Sequence, residues 1–170
     1  MFPLLLIGAA LLYFATRESE YMVDKTIKGG AVLYVERLRG VLPQLQATVL
    51  RWNGPFNILV APDGGLRIGA AAAAKQLEYY RTGASKAKTL QETAHGRGAA
   101  VDIWPEGFDP TKSLDLQPAI RARFVFIREW ALEQGLVLIG TPAETWDYPH
   151  WQLPNWTSYP YPPTNTNGAS

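Results

Sequence analysis

The chain has 170 residues, 16 Lys and Arg against 15 Asp and Glu for a net charge of +1, 47% hydrophobic residues and no cysteine. That length suits one domain with a substantial core and is short for two. The near-neutral balance, without a long basic run, lacks the footprint of a nucleic-acid binder, and the absence of cysteine excludes disulfides, thiolate metal sites and cysteine nucleophiles.

Residues 1–16 are apolar and uncharged from Phe2 to Thr16. As a helix they would rise roughly 22 Å, short of the ~30 Å hydrocarbon core of a bilayer. Three readings compete: a membrane anchor, a cleaved secretory signal and a buried helix. The lack of Lys or Arg ahead of the apolar run weakens the signal, and the lack of a polar stripe weakens the buried helix. The anchor therefore leads. Residues 17–30 are charged, end at Gly29-Gly30 and read as a linker.

The folded domain is expected over 31–154. Val32, Val35 and Leu38, then Leu42, Leu45, Val49 and Leu50, recur at helical spacing, with Gly40 and Pro43 between them, which predicts two short helices. Residues 56–61 form a strand candidate between turn-forming segments. Five consecutive alanines lead a predicted helix over 68–81, which Gly83 stops. Residues 99–104 read as a strand, 117–134 as an amphipathic helix closed by Gly135, and 136–139 and 150–153 as strands. Without regular strand–helix–strand alternation this is an α+β pattern. Residues 155–170, uncharged and rich in Pro, Asn, Thr and Tyr, are expected to be an extended or disordered tail.

Both histidines have a carboxylate nearby: His95 with Asp102, and His150 with Asp147. Imidazole is the commonest metal ligand. Seven residues in extended form would hold His95 and Asp102 roughly 23 Å apart, so the chain must turn back between them, and Gly96 and Gly98 permit it. Asp102 lies in the apolar run Ala99-Ala-Val-Asp-Ile-Trp104, where a carboxylate is costly unless paired or bound to a cation. A catalytic zinc takes three protein ligands and leaves a position for water. Two histidines and one aspartate would complete that set and leave the other carboxylate to accept a proton; Glu144 is a rival for that task.

The order Thr93-Ala-His95-Gly-Arg-Gly98-Ala-Ala100-Val-Asp102, followed by Trp146-Asp147-Tyr-Pro-His150, resembles the motifs of the zinc D-alanyl-D-alanine carboxypeptidases and the phage-type L-alanyl-D-glutamate endolysins of the same family. Their fold is shared with the hedgehog signalling domain. The resemblance covers roughly 56–154. It implies a small antiparallel sheet flanked by helices, with zinc on His95, Asp102 and His150 and with Asp147 as the general base. Arg67, in Gly65-Leu-Arg67, matches an arginine that assists substrate carbonyl or carboxylate binding. Thr93 stands where the family usually has Ser and keeps a hydroxyl near the site, and Trp151 is expected to pack around the site, where it could also serve as a substrate platform. Asp rather than Glu at 147 leans towards the endolysin branch.

The implied substrate is the peptidoglycan stem peptide, cut by an enzyme anchored at a membrane facing the wall or in a virion, or secreted if the first segment is removed. Two other functions fit the pattern: an anchored zinc-binding module without turnover, and a zinc amidase on the same polymer. Ser85-Lys-Ala-Lys88 also fits the Ser-x-x-Lys of penicillin-binding enzymes, but the Ser-Asp-Asn and Lys-Thr-Gly partners are absent.

Overall fold

The computed structural model describes residues 30–139 and 148–161. The apolar segment 1–16, most of the linker, Glu144, Trp146 and Asp147, and the end of the tail from 162 lie outside the described residues. Among the described residues no helix is long and apolar enough to cross a membrane.

In chain order the elements are β1 (Val32–Leu33), a 3-10 turn (Val35–Leu38), α1 (Pro43–Leu50), β2 (Ile58–Val60), α2 (Gly69–Arg81), β3 (Ala100–Pro105), α3 (Pro118–Glu133), β4 (Val137–Leu138) and β5 (His150–Gln152). The strands form one five-stranded sheet in the order β1-β2-β3-β5-β4. The molecule is α+β, but the sheet is mixed. β1 runs parallel to β2, with Val32 opposite Ile58, and every other pair is antiparallel.

The first predicted helix is therefore corrected. Its apolar spacing belongs to a two-residue strand and a 3-10 turn, separated by Tyr34 at φ 62° and ψ 48°, a left-handed conformation that ends regular structure. β1 is held by Ile58 N–H donating to the Ala31 carbonyl (2.9 Å) and Ala31 N–H donating to Asn57 Oδ1 (2.9 Å). Pro43, expected to interrupt, instead starts α1, where its missing N–H costs nothing.

α2 rests lightly on the domain, and Gln76 is its buried residue. The Gln76 amide donates to the Ala87 carbonyl (2.6 Å) and to Ser85 Oγ (3.0 Å), so the Ser85 hydroxyl serves a turn. α3 lies across β3 and β4 and buries Phe124, Ile127 and Ala131, spaced to share one face of a helix. Phe124 is fully buried and meets Phe108 and Tyr148 edge-on at ring separations of 5.1 and 5.5 Å. Phe124→Ala is therefore expected to lower unfolding stability by about 3–5 kcal/mol, read as a fall in the denaturant midpoint at unchanged slope.

Along β3, Val101 and Ile103 are fully buried in the core. Asp102, one residue out of phase with them, points to the other face of the sheet. Residues 155–161 turn back on the domain, where the Gln44 amide donates to the Tyr159 hydroxyl (2.6 Å) and Arg97 donates to the Tyr159 carbonyl.

Candidate metal centre

Three elements bring the two histidines and Asp102 together. Asp102 on β3 stands directly opposite His150 on β5. The Asp102 N–H donates to the Gly64 carbonyl (2.7 Å), and its own carbonyl accepts from Ala61 N–H (2.9 Å), both away from β5. Asp102 and His150 are thus a non-hydrogen-bonded cross-strand pair, the kind in which opposing side chains approach most closely. His95 comes from the turn before β3, and Gly98 (φ 66°) takes the left-handed conformation there. A Cβ on Gly96 would sit 2.0 Å from the Leu90 carbonyl oxygen, so this position needs glycine for close approach.

Thr93 braces that turn rather than the ligands. Its hydroxyl donates to the Leu90 carbonyl (2.8 Å) and accepts from Gly96 N–H (2.9 Å). The backbone of the same turn is tied to the loop carrying Arg67, whose N–H donates to the His95 carbonyl (3.3 Å).

His95 Nε2, His150 Nδ1 and Asp102 Oδ1 form a nearly equilateral triangle, with separations of 3.2 Å between the imidazoles, 3.3 Å from His95 to Asp102 and 3.2 Å from His150 to Asp102. They are the one group of three or more His, Asp or Glu side chains placed to hold a metal ion among the described residues. A tetrahedral zinc with ligands at about 2.0–2.1 Å holds them about 3.3–3.4 Å apart, so the triangle has the size of one face of that tetrahedron.

Proton accounting points the same way. His95 Nδ1 lies 3.0 Å from the Gly65 carbonyl, which can only accept, so Nδ1 carries the proton and Nε2 presents its lone pair. His150 Nε2 lies 3.0 Å from Gln152 Oε1, an acceptor for a proton on Nε2, and in that neutral tautomer Nδ1 presents its lone pair. Three lone pairs therefore converge in a site where His95 and His150 are only 4% and 6% exposed. Such an arrangement is repulsive without a cation and fits one well.

Electrostatics keep the ligands in the form a metal needs. Burial lowers the His95 pKa from its ordinary value, against the opposing pull of Asp102, so its lone pair stays free. Burial pushes the Asp102 carboxyl up, but the neighbouring His95 and His150 outweigh it and hold the group well below the usual carboxylate range.

Arg67 stands behind this carboxylate. Its Nη2 donates to Asp102 Oδ2 (2.9 Å) and its Nε to the Asp63 carbonyl (2.9 Å), so it holds the oxygen that the triangle leaves over. Through these contacts Arg67 positions Asp102; the substrate contact that the resemblance implies is a separate role. Trp151 packs: it is fully buried, its ring tilted against Trp130 at 5.7 Å, on the face of β5 opposite His150.

Gln152 was missed in the sequence. The signal was present, because on a strand position i+2 shares the face of position i, and Gln152 follows His150 by two. Gln152→Leu removes the acceptor that fixes the His150 tautomer and is expected to weaken zinc binding about 10–100-fold, measured by competition with a chromophoric chelator.

No protein-family model matches the chain, and no curated protein does. Among solved structures, the L-Ala D-Glu endopeptidase ChiX of Serratia marcescens is similar, with 26% sequence identity over 77% of this chain and 94% of that one and a TM-score of 0.49.

Proposed function

We propose that this chain is a zinc-dependent hydrolase that cuts a peptide bond of the peptidoglycan stem. One observation carries the reading: two imidazole nitrogens and a carboxylate oxygen converge at separations of 3.2–3.3 Å, the size of one face of a zinc tetrahedron. The residues that form this triangle are the ones that the motif around Thr93–Asp102 and Asp147–His150 would assign as ligands. His95, Asp102 and His150 would hold the ion.

A zinc held there would supply Lewis acidity for the peptide carbonyl and for lowering the pKa of water towards ~7. Gly65 and Gln152 accept from the distal N–H of each imidazole, which orients the ligating nitrogens towards the ion. Arg67 keeps the Asp102 carboxylate turned towards the histidines. Asp147, three residues before His150, takes the proton from the attacking water and passes it to the leaving amine. The cut bond is D-alanyl-D-alanine or L-alanyl-D-glutamate, and the apolar segment 1–16 would hold the enzyme at a membrane next to the wall.

Mass spectrometry of the products released from purified peptidoglycan tests this reading. A loss of one alanine marks a carboxypeptidase, and a free peptide beginning with D-glutamate marks an endopeptidase. Release of the whole stem from the sugar would replace the peptidase with an amidase. No product from zinc-loaded protein would leave a zinc-binding module without turnover.

A further inference from the structure

Next to the metal centre is an open cleft of about 510 Å³ that shares two residues with it: Gly65, whose carbonyl meets His95, and Arg67, which holds Asp102. Arg37 and Arg39 also line it, as do Lys75 and the two carboxylates Glu36 and Asp63. Lys75 is paired with Asp63 and Arg67 with Asp102. The Arg37 guanidinium stacks 4.1 Å above the Tyr34 ring and donates to the Val60 carbonyl (2.8 Å), with the exposed Glu36 carboxylate 4.0 Å away. The side chain of Arg39, exposed on the same short turn, has no hydrogen-bond or ion-pair partner among the described residues.

The cleft thus carries a surplus of positive charge beside a centre built to work on a peptide carbonyl. Both arginines precede residue 56, outside the stretch that resembles a known family. The geometry points to this cleft as a subsite for a free carboxylate of the peptide substrate, received by the guanidinium of Arg39 with Arg37 on the same wall. This rests on the peptidase reading, from which the ligand's chemistry follows. A planar carboxylate matches the guanidinium fork, and both candidate bonds lie next to one. D-alanyl-D-alanine ends in a carboxylate, and a D-glutamyl residue joined through one carboxyl group keeps the other.

The test is calorimetric binding to the zinc-loaded full chain. The probes are two acid and amide pairs: L-Ala-D-Glu with L-Ala-D-isoglutamine, and D-Ala-D-Ala with its terminal amide. One acid is expected to bind about five- to tenfold tighter than its amide, and the pair that shows the difference identifies the source of the carboxylate. Arg39→Glu should abolish the preference and Arg39→Lys should keep most of it; because the Arg39 side chain has no partner among the described residues, neither change should disturb folding. Equal binding of acid and amide in both pairs, or a preference unchanged in Arg39→Glu, overturns the subsite. If the preference is present but peptidoglycan stays uncut, the subsite stands and the peptidase reading falls; if peptidoglycan is cut without any preference, the peptidase reading stands and the subsite falls.

Discussion

His95→Ala protein, purified in zinc-containing buffer and dialysed, should contain almost no zinc, where the wild type retains about one ion per chain. Structural zinc sites bind with about 10–16 kcal/mol shared over four ligands, or about 2.5–4 kcal/mol for each. Losing one ligand therefore weakens binding by about 10²–10³. The true loss should reach the upper end of that range. His95 is buried, and its removal leaves Asp102 and His150 facing a void without their third partner. His150→Ala should behave alike, and hydrolysis should vanish with the metal in both. Zinc content by atomic absorption decides it: a full complement of zinc in His95→Ala would mean that the triangle is a packing arrangement and the ion sits elsewhere.

Asp147→Ala is expected to do the reverse, retaining zinc and losing turnover. General-base catalysis contributes about 10²–10⁴ to a rate, so kcat should fall by that factor, equivalent to about 3–5 kcal/mol in the barrier. Zinc content and the denaturant midpoint should stay at wild-type values. Glu144→Gln, by contrast, should leave kcat within about twofold, the size of an ordinary surface change. Product yield from purified peptidoglycan, measured beside zinc content in each variant, separates the two residues. If Asp147→Ala cleaves as fast as wild type while Glu144→Gln does not, the proton acceptor is Glu144. If both cleave normally, neither carboxylate takes the proton.

The longer elements were legible because a single strong local signal marks each. The alanine run dictates α2, and the Phe124, Ile127 and Ala131 stripe dictates α3. The short apolar run around Asp102 dictates β3. β1 was not legible. Two residues have no measurable period, and the strand exists only because Val32 and Leu33 find Ile58 and Leu59 far along the chain. The same limit governs the site. Which side chains carry lone pairs can be read from residue types, and the motif names the three that meet. That Arg67 spends its guanidinium on Asp102, 35 positions away, depends on a fold-back that no local pattern encodes. The placement of Arg37 and Arg39 beside Gly65 and Arg67 is likewise tertiary.

The cross-strand pairing of Asp102 with His150 brings together two groups 48 positions apart in the chain, and it does so through strand register. Because side chains alternate on a strand, a slip of β5 by a single residue would present Trp151 to Asp102 and drive His150 into the apolar interior. Both errors are severe: a bulky indole against a carboxylate, and an imidazole among Phe124, Ile127 and Trp130. The metal site and the hydrophobic core thus proofread the same alignment from opposite faces of one strand. An insertion within β5 would break both at once.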